Sequence, residues 1–384
     1  MATELKGAYQ ATADVEDLTI FDAYKEWQER EGVPVVTGFY IEDLKTLDLV
    51  PWPRKGGRGA FVNLEGTGGV NDMHVVEIAP GKQSEPEHHL YEAMVYVLTG
   101  HGSTSVWYDE KHKQTFEWGP GSLFAIPINA TYQLFNGSGV EPARYAAVTN
   151  APTILRIFHD NDFVFSNPHL FRDRFGGEEG YFDGDGRMFR RKAIKVWITN
   201  FVPNVHTMEL PERPDRGGGG HNVHIALADN SMGAHISQFQ PGMYKKGHRH
   251  GPGAHVIILD GLGYSLLWKE GVERMKCDWR PGAVVVPPDN WFHQHFNTGP
   301  APARYLALRY GGTVHRQSVS EERGEGSGVS LKLGGWQIEY EDEDPAIHQL
   351  FEAETQRNGA TCMMKTFIPS CTGAAGVMER GGGD

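Results

Sequence analysis

The segment from Pro80 to Asn136 recurs from Pro241 to Asn297 at a fixed offset of 161 residues, and no other feature constrains the fold as tightly. Gly81 returns as Gly242, His89 as His250 and Ala93 as Ala254. Val95, Leu98, Gly100 and Gly102 return as Val256, Leu259, Gly261 and Gly263, and Trp107 and Trp118 as Trp268 and Trp279. Pro120-Gly121 matches Pro281-Gly282, Pro127 matches Pro288, and Gln133, Phe135 and Asn136 match Gln294, Phe296 and Asn297. The match runs on, with one residue of slip, into Pro-Ala-Arg-Tyr at 142–145 and 302–305. An offset held across so many turn residues means two copies of one fold.

Each copy reads as short β-strands. AMVYVLTG, GSTSVWYD and GSLFAIP in the first copy, and AHVIILDG, GYSLLW and AVVVPP in the second, are β-branched or aromatic runs bounded by Gly, Pro and Asp. Short runs at regular spacing predict an all-β sandwich or barrel. The 48 glycines in 384 residues, above the usual ~7%, fit a chain rich in turns. Helical spacing marks TIFDAYKEWQER near the start and EDEDPAIHQLFEAETQRNG near the end, the second with Pro just inside its start. The expected division is an N-terminal copy with a helical leader over 1–160, a linker over 161–220 and a C-terminal copy over 221–335. A C-terminal helix and a mobile tail ending ERGGGD fill 336–384.

Composition narrows the function. With 36 Lys+Arg against 49 Asp+Glu the net charge is −13, and no basic block exceeds three residues, which argues against nucleic acid as a partner. No apolar run approaches a membrane span, and the first residues lack a secretory core, so a cytoplasmic protein without membrane contact is expected. Cys277, Cys362 and Cys371, odd in number and widely spaced, read as neither a disulfide framework nor a zinc ribbon. The placement of the 18 histidines carries the chemistry.

In the second copy Gly242 is followed by His248-Arg-His250, and Gly282 by Pro288, His293 and Asn297. Residues i and i+2 of a strand share a face, so His248 and His250 can present two imidazoles to one point. His293, from a later strand, completes a facial set of three. Neutral imidazoles suit Fe, Mn, Ni, Cu and Zn and leave positions open for other ligands.

At these residues both copies resemble cupin domains, and the chain resembles a bicupin. The two family signatures are G-x5-H-x-H-x3,4-E-x6-G and G-x5-P-x4-H-x3-N, and the resemblance covers about residues 60–312. It implies two small antiparallel barrels of the double-stranded β-helix type, with a metal inside. Two departures matter. The family glutamate is Ala254 in the second copy, leaving three histidines. The first copy has Glu87, His89, Ala93 and Tyr132 at those positions, which marks it as structural and metal-free, with a residual Glu87–His89 site left open. His88 should face away from it.

Without the glutamate the ion keeps its full +2 charge, which favours an anionic substrate chelated through two oxygens with a position left for O2. Three-His cupin dioxygenases, such as the gentisate, salicylate and hydroxynaphthoate enzymes, share this pattern. The resemblance therefore implies an Fe(II) dioxygenase acting on an aromatic or enolic acid. The implied cofactor is one divalent transition metal per chain, Fe(II) first, with Mn, Ni or Zn open. The implied partners are a small anionic substrate, O2 and further copies of the chain in a homo-oligomer. His295, sharing a strand face with His293, and Arg309 are the candidate catalytic residues. Trp291 and Tyr244 are candidates for the mouth or for packing. Arg249 should face outward, and Arg304, matched by Arg144, should be structural. His255 should point away from the metal, while His221, His224 and His235 read as ordinary residues. The alternatives are a non-oxidative lyase, decarboxylase or isomerase, and a non-catalytic binding bicupin.

Overall fold

The computed structural model describes residues 21–191, 193–315 and 328–373, so the ERGGGD end and the first residues of the leader lie outside the described residues. In the N-terminal copy the strands Gly57–Val62, Asp72–Ile78, Ala143–Thr149, Ala93–Thr99 and Leu123–Ile126 lie side by side in that order. Thr131–Asn136, Gly102–Trp107 and Gln114–Trp118 form a small second sheet. The C-terminal copy repeats this with His221–Leu227, Gly233–Phe239, Ala303–Arg309, Ala254–Asp260 and Val284–Val285 in its large sheet. Met275–Trp279, Gly263–Trp268 and Phe292–Asn297 form its small sheet. The fold is thus all-β, two jelly-roll-like sandwiches in tandem, with short helices at Ala23–Glu31, Ala151–Phe158, Asn161–Phe165 and Pro345–Arg357. No helix among the described residues is long and apolar enough to cross a membrane.

Strand alternation divides the apolar residues into separate cores. Val95, Val97, Val106, Phe116, Phe124 and Leu134 fill the first sandwich. Val256, Ile258, Leu267, Trp279, Tyr305 and Ala307 fill the second. The opposite faces of the two large sheets pack on each other through Val62, Val75, Met94 and Leu123 on one side and Ile225, Ile236, Ile257 and Leu306 on the other. Each such aliphatic side chain contributes roughly 1.5–3 kcal/mol when fully buried, so this is a permanent contact and not a hinge.

The repeat reaches further back than its sequence identity. Tyr40–Ile41 pairs with Val284–Val285 of the other copy, and Phe201–Val202, offset by 161, pairs with Leu123–Phe124. The two sandwiches therefore exchange equivalent edge strands. Each arm is held by an arginine: Arg144 donates from Nη1 to the carbonyl of Lys45 at 2.6 Å, and Arg304 to that of Val205 at 2.9 Å. This accounts for both arginines as structural residues. The stretch expected as a linker carries this arm together with the strands Gly186–Arg191 and Ile194–Thr199.

Two glycines show why the turns need that residue. Gly100 and Gly261 adopt φ of 84° and 99°, and a Cβ on either would lie within 2.7 Å of Ala143 or Ala303.

Candidate metal centre

The ladder of the second sandwich sets the histidines in place. His248 and His293 exchange both backbone hydrogen bonds, at 3.1 and 2.8 Å, which brings their rings to 4.2 Å between centroids. His250, two residues along, lies 4.5 Å from His293 and 5.6 Å from His248 by the same measure. One ligand atom from each ring falls within 4.8 Å of the others. With the Nδ1 position protonated, each ring donates to a backbone carbonyl: His248 to Lys246 at 3.3 Å, His250 to Gly251 at 2.7 Å and His293 to Trp291 at 3.3 Å. That pins the tautomer and leaves Nε2 unprotonated, the arrangement a metal-binding imidazole needs.

The surroundings keep these rings neutral. Burial, and then the Arg216 guanidinium, holds His248 well below the usual imidazole value, and burial, then His250, does the same for His293. Burial, with Arg309 next, pushes His250 down to about 4. At neutral pH all three keep the lone pair a cation requires. A cation already probes that position: Arg216 donates from Nη2 to His248 Nε2 at 2.5 Å. The donor set fits a first-row divalent ion.

The repeat supplies an internal control. Glu87, His89 and Tyr132 occupy the positions of His248, His250 and His293, and Glu87 and Tyr132 make the same backbone bridge. Lys55, at the position of Arg216, ion-pairs with Glu87 at 2.6 Å, both side chains being buried. His89 donates from Nδ1 to the Tyr91 carbonyl at 2.8 Å, and its Nε2 meets the Tyr132 hydroxyl at 3.0 Å. An ammonium and a phenol thus engage these groups, where the second copy keeps three imidazoles.

A cavity of about 370 Å3 opens over the three histidines. Interior-facing residues of the large sheet line it, including His224, His235, Tyr305 and Arg309, together with Lys245, His295, Arg191, Arg213 and Arg216. Among the described residues Asp215 is the one carboxylate of its lining, and it lies 3.4 Å from Arg213. Arg309 faces Ala254 directly in the strand register, so a methyl group and not a carboxylate stands beside this guanidinium. His295 also lines the cavity, but its Nδ1 is engaged by Ser265 Oγ at 2.8 Å.

Other expectations fall differently. Tyr244 packs with Phe296 and Phe351 beneath the small sheet, away from the cavity, and Trp291 stacks obliquely on Phe39. Arg249 points outward, 3.6 Å from Glu270. His255 is fully buried without a hydrogen bond on either nitrogen, and burial pushes it down to about 3. It shares its strand face with Ile257, toward the contact between the sandwiches. His221, His224 and His235, read from sequence as ordinary, line the cavity. The alternation of His224 with Val223 and Ile225, and of His235 with Ile236, whose side chains enter the other core, was the signal available; His221, in step with Val223, gave none.

The C-terminal segment braces the ligand strands from outside. Glu343 accepts from the Tyr244 hydroxyl and from Gln294 Nε2, both at 2.6 Å. Burial pushes its carboxyl up to about 7 against Gln294, Tyr244 and Arg274, with Asp344 adding to the rise. A raised carboxyl contributes stability that is fully present below pH ~4.5 and is lost as pH climbs through ~7. Glu343→Gln should therefore lose less stability than the parent between pH 5 and pH 8. Equal changes in urea midpoint over that range would refute the assignment.

No protein-family model matches the chain, and no curated protein is detectably similar to it. Solved structures similar to it include an oxalate decarboxylase with a TM-score of 0.47 and 14% identity, over 75% of this chain and 81% of that one. The W96Y oxalate decarboxylase of Bacillus subtilis has a TM-score of 0.47 and 14% identity, over 78% and 83%. A Bacillus subtilis oxalate decarboxylase studied for its Mn(II) centres has a TM-score of 0.46 and 15% identity, over 75% and 81%.

Proposed function

We propose that the second sandwich is the catalytic half of a mononuclear metal-dependent enzyme that takes a small acid bearing two or more anionic oxygens. The observation that carries this reading is a three-imidazole cluster within 4.8 Å at the floor of a cavity walled by four arginines and a lysine. His248, His250 and His293 hold the ion, which when bound supplies Lewis-acid polarisation of the substrate's oxygens. A cavity of about 370 Å3 suits a small molecule. Arg309, opposite Ala254, draws a carboxylate toward the histidines, and Arg216 clamps it.

Proton transfer falls to a pair the sequence did not single out. Lys245 Nζ lies 3.3 Å from the Tyr305 hydroxyl on the cavity wall. Burial lowers the lysine, with Tyr305 opposing that shift and Arg216 adding to it. Burial raises the Tyr305 phenol, but Lys245, Ser237 and Arg216 outweigh it and leave it below its usual value. Both groups lie below their usual values, and the hydrogen-bonded pair can hand a proton to a bound acid or take one from it. This favours non-oxidative chemistry, a lyase or decarboxylase in which Mn(II) serves as well as iron. The second reading is an Fe(II) dioxygenase, favoured by three neutral ligands and the lack of a carboxylate beside them.

A panel of hydroxylated aromatic acids and small dicarboxylates, with Fe(II) or Mn(II), separates the two by O2 uptake against CO2 release without uptake. Arg309→Met is expected to raise KM roughly 10–100-fold with a smaller change in kcat, the loss of one charge-assisted pair. An unchanged KM for every substrate turned over removes Arg309 from the site.

A further inference from the structure

The second buried cluster of donor atoms lies outside the cavity, under the C-terminal extension. The helix Pro345–Arg357 places His348 and Glu352 one turn apart on one face. The chain then returns beneath that face with Cys362 and Cys371, both buried, their sulfurs 3.1 Å apart and unbonded. One donor atom from each of the four residues falls within 4.8 Å of the others.

A second observation points to a ligand. His348 is 94% buried and its Nε2, facing the cluster, makes no hydrogen bond, lying 3.5 Å from Glu352 Oε1. Its other nitrogen is engaged, with Nδ1 3.2 Å from the Tyr244 hydroxyl. A buried imidazole nitrogen held by no more than a long 3.5 Å contact to a carboxylate is poorly satisfied, and a closer partner would be gained at little cost. Beside two sulfurs and a carboxylate it completes a mixed N/O/S set of four.

We propose that His348, Glu352, Cys362 and Cys371 form a tetrahedral zinc site, separate from the three-histidine centre. Two thiolates and an imidazole select a borderline-soft ion, and four protein ligands close the shell, as structural zinc sites do. Each thiol releases its proton to solvent on binding. Zn–S bonds of about 2.3 Å set the sulfurs roughly 3.8 Å apart, so the ion opens the pair by several tenths of an ångström. The site locks the extension onto the small sheet: Phe351, Met364 and Ile368 pack on Tyr244 and Phe296 next to Cys362 and Cys371.

The test uses the full chain carrying His248→Ala and His293→Ala, which empties the cavity centre. Zinc by mass spectrometry is expected at one equivalent per chain, falling to trace when Cys371→Ser is added. Because that addition could unfold the extension, Co(II) is also loaded into the unaltered protein. A thiolate-to-cobalt charge-transfer band is then expected, which no imidazole-only site can give. Trace zinc in the double variant together with no such band overturns the proposal, as does intact mass showing a Cys362–Cys371 disulfide in anaerobically purified protein. Failure of the three-histidine reading would instead leave the band in place and show as no metal lost between the unaltered protein and the double variant.

Discussion

His293→Ala is expected to cost the cavity centre its metal while the second sandwich stays folded. The side chain is 2% exposed, but its strand is held by the full ladder to Gly263–Trp268, and its neighbours Phe292 and Phe296 pack on the opposite face. What is lost is the ring common to both close approaches, 4.2 Å to His248 and 4.5 Å to His250, leaving two rings 5.6 Å apart. Losing a partner that merely orients a ligand lowers metal affinity about 10–100-fold, so losing the ligand should exceed roughly 100-fold. His295→Ala is the matched control, since that ring bonds Ser265 and stands 5.7 Å from His293. It should keep its metal and change only turnover. Titrating both variants with Mn(II) or Fe(II) decides the matter, and a His293→Ala protein that binds as tightly as the parent would falsify the ligand assignment.

The three-histidine cluster was legible in sequence because its residues sit at motif positions two apart or opposite each other in extended chain, where a period of two fixes which side chains share a face. His248, His250 and His293 needed no more than that. His224 and His235 obey the same alternation, but no motif marks them, so their inward direction emerges only once Val223 and Ile236 are seen in the core between the sandwiches; Lys245 reaches the cavity from an irregular segment with no periodicity to read. The exchanged arms escaped for a different reason. Strands of two residues, Tyr40–Ile41 and Phe201–Val202, carry no periodicity and are defined by partners in the other copy. The cysteine pair lies in irregular chain, and its closeness to His348 and Glu352 is made by tertiary packing alone. Even so, Pro53-Arg-Lys-Gly56 and Pro214-Asp-Arg-Gly217 are a faint continuation of the repeat. They deliver Lys55 and Arg216 to equivalent points.

That equivalence makes Lys55 the residue whose loss should most destabilise the protein. Its side chain and that of Glu87 are 2% and 5% exposed, and the 2.6 Å pair lies inside the first sandwich beside His89 and Tyr132. A surface pair such as Lys113–Glu110, with the glutamate 72% exposed, contributes at most about 1 kcal/mol. Here Lys55→Met strands a buried carboxylate, Oε1 of which already lacks a hydrogen bond, and the expected cost is about 3–5 kcal/mol. For a sandwich of this size that is roughly 6–20 °C in Tm. The deficit should shrink as pH falls, because an unpaired buried carboxyl has its pKa raised and folds more readily once protonated. Replacing both partners, Lys55→Met with Glu87→Met, removes the stranded charge and should restore most of the loss. Calorimetry at pH 5 and pH 8 on the three proteins tests the account. If the single variant melts with the parent, or the double variant is worse than the single, the ammonium is not neutralising Glu87 and the first copy's site must be held in some other way.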